Sequence, residues 1–422
     1  MKNKDYFRGK KVLIAGFGRS GLSAANLLYD LGAGVSVTDN QDNAITRLNL
    51  KRLKSEDIKV ELGRHSREFF KDTGLVVISP GVPCDAPPIL WARESGIPVI
   101  SEIELAWVLC PAEVIAITGT CGKTTVTTLT GKVIEASGKR AFTCGNIGNP
   151  FSSEVGKMRE GDLVSLEVSS FQLENIAAFK PKISAVLNLS RNHLDRYSNM
   201  EDYLKAKARI FENQDSSDYL VLNYDDEEVR GLSRLARAKA VYFKKEEGLN
   251  PNQSAVLAIA GILGIKRELA MDVFRNFRGV EHRMEEVAQI RGIRFINDSK
   301  STATEATIWA LSNLACPVIL ICGGREKGND YAGVSAIARD KVKSLVLIGE
   351  ARERIREAFG SGPLAYDAGS LEEAVEKAFS LGSSGDCVLF SPMCKSFDMF
   401  SDYEERGRAF KSIVSGLAGL KP

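Results

Sequence analysis

The sequence predicts an α/β protein built on more than one parallel sheet. A single rhythm repeats along the chain: a short β-branched apolar run, a glycine-bearing turn, then a helix-like segment. Two unlike Gly-rich turns, at 16–21 and 118–125, each follow such a run. The runs KVLIAG (11–16), GVSVTD (34–39), LVVISPG (75–81), VIAITGT (114–120) and LVSLEV (163–168) come first, and AVLNLS, PVILICGG, SLVLIGE and CVLFSP follow. Runs that are apolar on both faces belong to buried parallel strands, and the lengths between them suit crossover helices. In sheets of this kind ligands bind beyond the carboxyl ends of the strands, so the chemistry is expected in the turns.

Length and composition limit the rest. A chain of 422 residues suggests two to four domains at roughly 150 residues each. Three segments read as modules, 1–101, 102–279 and 280–422, with no Pro- or Ser-rich linker to sharpen their limits. The hydrophobic fraction of 44% and charged fraction of 26% are ordinary for globular protein. Lys plus Arg number 56 against 54 for Asp plus Glu, so no general field draws the chain to nucleic acid or anionic lipid, and an anionic ligand needs a local site. The longest apolar stretch, Leu314 to Cys322, is broken by Pro317 and too short for a membrane span of ~20 residues. The start, MKNKDYFRGKKVLIAG, lacks the features of a signal peptide. Eight cysteines without a C-x-x-C pair read as reduced thiols. A cytoplasmic protein without nucleic-acid or membrane partners is expected.

The first turn, Gly16-Phe17-Gly18-Arg19-Ser20-Gly21, opens a helix-like segment, and Asp39 closes the next strand. Glycines there admit a tight turn and let backbone approach a phosphate at a helix N-terminus, while the carboxylate stands where a ribose would be bound. By itself the turn fits an NAD-dependent dehydrogenase, or merely the packing of a helix on a strand. The second turn, Thr118-Gly119-Thr120-Cys121-Gly122-Lys123-Thr124-Thr125, is a shortened phosphate-binding loop, with Ile117 where the strict pattern has glycine. Its N–H groups would cradle ATP phosphates, with Lys123 on the terminal phosphates and Thr124 on Mg²⁺.

Further polar residues stand at strand ends. Glu167 closes LVSLEV, where a carboxylate in the same domain as a phosphate loop suits a metal ligand. His193, one of only three histidines, follows the next strand in Asn192-His193-Leu194-Asp195. Lys207 in DYLKAKARIFEN reads by periodicity as a solvated helix-face lysine. The third module adds Arg283 in EHRM, the turn Asn297-Asp298-Ser299-Lys300-Ser301-Thr302, Lys327 in GGREKG, and Ser396 with Phe397 in SPMCKSFDMF. Cys121 and Cys394 lie within these turns as bystanders.

Taken together, GFGRSGLSAANLL, ITGTCGKTT, LEVSSFQLE, NHLDRY, YLKAKARIFEN, HRMEEV, FINDSKSTATEAT, GGREKG and SPMCKSFDMF resemble the Mur ligase family, in the family's order and across nearly the whole chain. The resemblance implies three domains: an N-terminal Rossmann-like UDP-binding domain, a central P-loop ATP-binding domain and a C-terminal Rossmann-like amino-acid-binding domain. It implies an ATP-dependent amide ligase that adds D-glutamate to UDP-N-acetylmuramoyl-L-alanine through an acyl phosphate, as a monomer, with two Mg²⁺ ions or Mn²⁺ in their place. By the same resemblance, Gly18, Arg19, Ser20, Asp39 and Gly81 would hold the UDP group, with Asn146 near the reacting end of that substrate. Gly119, Thr120, Gly122, Lys123, Thr124, Thr125, Asn252, Arg283 and Asp298 would bind ATP. Thr124, Glu167, His193 and a carbamylated Lys207 would ligate metal. Lys300, Thr302, Lys327, Ser396 and Phe397 would grip D-glutamate, and Lys123, His193 and Lys207 would carry the catalysis. Two departures stand out: Asn192 replaces an acidic residue, and the segment between Tyr242 and Asn252 is short and lacks a His-Asn pair at the base-binding edge.

Overall fold

Every apolar run singled out in the sequence contributes a strand, and most of these strands are buried along nearly their whole length. The structure is a computed structural model that describes the chain except residues 191–196, 198, 278, 327, 418 and 420–422. It forms two compact units, Met1–Phe277 and Arg278–Pro422.

The first unit holds two sheets. Strands β1 (Lys11–Ala15), β2 (Gly34–Asp39), β3 (Lys59–Leu62), β4 (Leu75–Ile78) and β5 (Val99–Ser101) pair in parallel in the order β3-β2-β1-β4-β5. The chain reverses its direction of travel across this sheet between β1 and β4, which opens a crevice at their carboxyl ends. Strands β6 (Glu113–Thr118), β7 (Ala141–Gly145), β8 (Leu163–Glu167), β9 (Ile183–Val186), β10 (Tyr219–Asn223) and β11 (Lys239–Phe243) form an all-parallel sheet ordered β11-β10-β9-β6-β8-β7.

One apolar core is continuous through both sheets of this unit, and it includes Leu28, Leu105, Phe151, Leu166 and Phe179. The helix Glu102–Leu109 joins the sheets and is apolar on nearly every side, yet begins with two buried acids. Glu104 resolves its burial by accepting hydrogen bonds from the backbone N–H groups of Ala177, Ala178 and Phe179, each at 2.9 Å. Glu102 accepts from Ser152 N at 2.6 Å, and burial pushes its carboxyl above the usual range.

In the second unit, β12 (Glu285–Ile290), β13 (Ile293–Asn297), β14 (Val318–Gly323), β15 (Val342–Ile348), β16 (Leu364–Asp367) and β17 (Cys387–Phe390) are ordered β12-β13-β17-β14-β15-β16. Only β12 is antiparallel, joined to β13 by Arg291 and Gly292 at φ of 50° and 78°. Two residues in the left-handed region make the hairpin turn that matches strand twist. The helix Tyr403–Leu417 lies against β12 and β13, and its Phe410 stacks on Phe390 at 4.9 Å.

Removing the Glu104 carboxylate would leave the N–H groups of Ala177, Ala178 and the buried Phe179 without their acceptor. Glu104→Ala is therefore expected to destabilise the first unit by about 3 kcal/mol, read as a lowered urea midpoint, with Glu104→Gln in between. An Ala variant as stable as the unsubstituted chain would show that these donors have other partners.

Candidate active site

The first Gly-rich turn is shaped by steric need. Gly16 has φ of 95°, and a Cβ there would lie 2.6 Å from Val82 Cγ2 and 2.9 Å from Ser79 Cβ. A Cβ on Gly21 would fall on the Gly16 carbonyl oxygen. Gly18, the N-cap of helix Arg19–Asp30, and Gly81 have open space where a side chain would stand. Asp39 accepts from Phe17 N at 2.6 Å and Gln41 N at 2.8 Å, Ser79 Oγ donates to Gly16 O at 3.0 Å, and Asn49 donates to Phe17 O at 2.7 Å. Gly18, Arg19, Ser20, Asp39 and Gly81 thus stand on adjoining turns at the carboxyl ends of β1, β2 and β4, around the crevice. Asp39 already serves the turn's own backbone.

The second turn continues β6 into helix Lys123–Ala136, with Gly119 at φ of 153° and Gly122 at 82°. A residue outside the motif clamps it. Asn188 Oδ1 accepts from Thr120 N at 3.1 Å and Cys121 N at 2.8 Å, and its Nδ2 donates to Cys121 O at 3.0 Å. Asn188 lies just beyond β9, the neighbour of β6. Its one signal in the sequence is an amide inside the run AVLNLS. The Thr120 hydroxyl accepts from Ser190 N at 3.0 Å. Asn252, in the first turn of helix Pro251–Ile262, crowds Gly122 so closely that a Cβ there would collide with its Oδ1.

Two lysines meet at this loop. Lys123 Nζ donates to Gly119 O and Thr120 O, both at 2.9 Å, and Lys207 Nζ donates to the same Gly119 O at 2.9 Å. The reading of Lys207 as a solvated helix-face residue is corrected here: it is 1% exposed, with its amine 4.4 Å from the Tyr203 ring centre. Burial first, and the charge of Lys123 second, hold its amine well below the usual lysine range. Periodicity failed because the helix Met200–Ala208 buries a stripe that contains a lysine.

Glu167, also 1% exposed, ends β8 opposite Ile117 of β6. Asn146 donates from its backbone to Glu167 O and from its side chain to Glu167 Oε1, both at 2.9 Å. The oxygen donors of Thr124 and Glu167 suit a hard divalent cation beside phosphate, although no cluster of three His, Cys, Asp or Glu side chains occurs among the described residues. His193 and Asn192 lie outside the described residues, as does Lys327.

In the second unit the turns after β13 and β17, neighbouring parallel strands, carry the remaining candidates. Asp298 is 1% exposed and accepts from Ser301 Oγ at 2.5 Å, Ser391 Oγ at 2.8 Å and Met284 N at 3.2 Å. Burial outweighs these hydroxyls and the charge of Arg283, raising its pKa to about 6. Met393 N donates to Ser301 O at 2.9 Å and ties the two turns together. Lys300 lies with Nζ 5.7 Å from the Tyr403 ring centre, Thr302 N donates to Lys300 O, Ser396 is buried and Phe397 is exposed. No helix among the described residues is long and apolar enough to cross a membrane.

Family models match three stretches: the Mur ligase MurD-like N-terminal domain at 10–101, the Mur ligase middle domain at 117–260 and the Mur ligase glutamate ligase domain at 282–394. The UDP-N-acetylmuramoylalanine--D-glutamate ligase of Geotalea uraniireducens strain Rf4 is 40% identical over 442 aligned positions, covering 97% of this chain and 98% of the relative. Those positions outnumber the chain's own 422 residues, so the relative has segments this chain lacks. Among solved structures, the UDP-N-acetylmuramate-alanine ligase MurC of Thermotoga maritima shares the fold at TM-score 0.60 and 21% identity, over 97% of this chain and 99% of that one. A bifunctional folylpolyglutamate synthase/dihydrofolate synthase of Yersinia pestis, complexed with AMPPNP and Mn ion, matches at TM-score 0.56 and 15% identity, over 76% of this chain and 92% of that one.

The buried Asp298 makes a pH signature. Its folded pKa lies above the unfolded value, so protonation favours the folded unit; that contribution is complete below about pH 4 and is lost as pH rises through about 6. Asp298→Asn, which cannot ionise, is expected to gain stability relative to the unsubstituted chain at pH 7, on the order of 2–3 kcal/mol, with the gap closing by pH 4.5. Urea midpoints of both proteins across that range test it, and a constant gap would refute the assignment.

Proposed function

This chain belongs to the Mur ligase family, and on that premise we propose that it joins D-glutamate to UDP-N-acetylmuramoyl-L-alanine with conversion of ATP to ADP and phosphate. It is an acid–amino-acid ligase of peptidoglycan precursor synthesis. The observation that carries the chemistry is the meeting of Lys123 and Lys207 on the Gly119 carbonyl, inside a loop whose N–H groups are pinned by Asn188.

A carboxylate is a poor acyl donor because its oxygen leaves badly. Phosphorylation by ATP turns that oxygen into part of a phosphate leaving group. Attack by the D-glutamate amine then forms the C–N bond and breaks the C–O bond to phosphate. The chain's part is to hold phosphate, carboxylate and amine in line. Lys123 and the N–H groups of Gly119, Gly122, Thr124 and Thr125 grip the ATP phosphates, and Thr120, whose N–H is held by Asn188, contributes through the shape of the loop. Asn252, Arg283 and Asp298 are assigned to the rest of the nucleotide. Gly18, Arg19, Ser20, Asp39 and Gly81 hold the UDP group, which requires Asp39 to share a carboxylate now bonded to Phe17 N. Asn146 orients the acyl end from beside Glu167. Lys300, Thr302, Lys327, Ser396 and Phe397 receive D-glutamate.

The divalent ions, two Mg²⁺ or Mn²⁺ in their place, would reduce the repulsion between phosphate and carboxylate, held by Thr124, Glu167, His193 and a carbamylated Lys207. Lys207 suits carbamylation because burial favours the unprotonated amine, whose lone pair attacks CO₂. The N–C bond forms, a proton leaves, and a buried donor becomes an anion. The 1–101, 102–279 and 280–422 divisions are proposed as UDP, ATP and amino-acid domains of a cytoplasmic monomer.

Phosphate release by the purified protein is expected with ATP, Mg²⁺ and UDP-N-acetylmuramoyl-L-alanine only when D-glutamate is supplied. Release driven equally by L-alanine or a diamino acid would sink the assignment. Lys123→Ala is expected to lower turnover by at least about a hundredfold, from loss of a charge that stabilises the transferring phosphate. Lys207→Ala is expected to be inactive and partly restored by added short carboxylates. A fully active Lys207→Ala protein would exclude the carbamate.

A further inference from the structure

One buried charge in the second unit has no place in the assignments above. Arg406, on helix Tyr403–Leu417, is 0% exposed. Its Nε donates to Ser299 Oγ at 3.1 Å, one terminal nitrogen to Ser299 O at 2.8 Å and the other to Cys394 O at 3.2 Å. A third turn crowds the same group: a Cβ on Gly324, just after β14, would lie 3.2 Å from that last nitrogen and 2.5 Å from Lys395 O. Arg325 N in turn donates to Lys395 O at 2.9 Å. The turns after β13, β14 and β17 therefore converge on one guanidinium, and two of them carry Lys300, Thr302, Ser396 and Phe397.

The guanidinium is held by carbonyls and a hydroxyl alone. No carboxylate comes within 4.0 Å of it among the described residues. Asp398, the acidic side chain whose field reaches it, faces elsewhere: one oxygen accepts from Glu350 N at 3.3 Å and the other is buried without a hydrogen bond. Burial lowers the Arg406 pKa only to about 10, so the group is a cation at neutral pH. A buried cation without an ion-pair partner is costly, and an apolar side chain of similar volume would serve packing better. What an apolar side chain would lack is a fixed fork that bonds two turns, packs against a third, and supplies a positive field, little screened, beneath them.

We propose that Arg406 is a positioning and specificity-determining residue for the amino-acid substrate: it sets the turns that receive D-glutamate and supplies the buried positive field that favours its side-chain carboxylate over the neutral amide. The inference rests on the ligase reading given above. The field acts at a distance through the turns, so its loss should fall on the amino acid and spare the UDP substrate.

The test uses the full chain with D-glutamate and its neutral isostere D-glutamine, and reads phosphate release. Arg406→Met is expected to raise the KM for D-glutamate at least about tenfold and to reduce the kcat/KM preference for D-glutamate over D-glutamine by a similar factor. The KM for the UDP substrate should stay within about twofold. Arg406→Lys keeps the charge and loses the fork, so it should retain the preference while kcat falls. An Arg406→Met protein with an unchanged preference, or with the KM values for D-glutamate and the UDP substrate raised alike, overturns the inference. If that variant does not fold, Arg406→Lys decides: a retained preference with reduced kcat supports the inference, and a lost preference overturns it. An unsubstituted protein inactive with D-glutamate would refute the ligase reading and this inference with it, whereas an active one with indifferent variants refutes this inference alone.

Discussion

Lys123 and Lys207 place two amines on one carbonyl oxygen, that of Gly119, with Lys207 fully buried and Lys123 half-buried. Two ammonium groups so close, with one of them fully buried, cannot both keep a full charge cheaply. The arrangement is sustainable if Lys207 is neutral, if anions arrive, or if Lys207 itself becomes an anion. Each of these favours the chemistry of phosphate and carboxylate transfer. The two amines thus set an electrostatic strain that the proposed anionic substrates would relieve, and three further contacts hold the loop in place. Asn188 pins its N–H groups from the next strand, Asn252 stands against Gly122, and the Thr120 hydroxyl is bonded to Ser190.

The same economy governs the buried polar groups farther from the loop. Glu104 is matched by three N–H donors. Burial raises the carboxyls of Glu102 and Asp298, and the hydrogen bonds each accepts offset only part of that rise. Arg406 receives only neutral acceptors and falls to about 10. For Glu102, Asp298 and Arg406 burial is the largest influence, and the neighbouring donors or charges act against it.

The α/β class, the strands and the phosphate loop were legible in the sequence because they rest on local pattern. Buried parallel strands must be apolar on both faces, and a phosphate cradle needs glycine and lysine at fixed spacing. Gly16 and Gly21 were also legible, though for a double reason, since both are required sterically whatever binds there. Asn188 and Arg406 were not legible, because each acts on a segment distant in sequence and sits in a pattern that predicts nothing of its partner. Lys207 was misread by periodicity for a related reason. A helix face is assigned from its average character, and one lysine on a buried stripe does not change that average. Only the resemblance to a family drew attention to it.

Near-neutral composition now has a physical explanation. A strongly cationic surface would attract every anion in solution, and it would do so without regard to shape. This chain keeps Lys plus Arg and Asp plus Glu almost balanced overall and removes a few cations from water instead. An exposed lysine is screened within a Debye length of ~8 Å at physiological salt, whereas a buried one acts through protein of much lower dielectric. A buried guanidinium such as that of Arg406 can therefore do locally what a patch of surface lysines cannot, and it does so only for an anion placed by the surrounding turns. Selectivity then follows from where the charge is hidden rather than from how much of it there is, which is why the informative residues lie at strand ends and not on the surface.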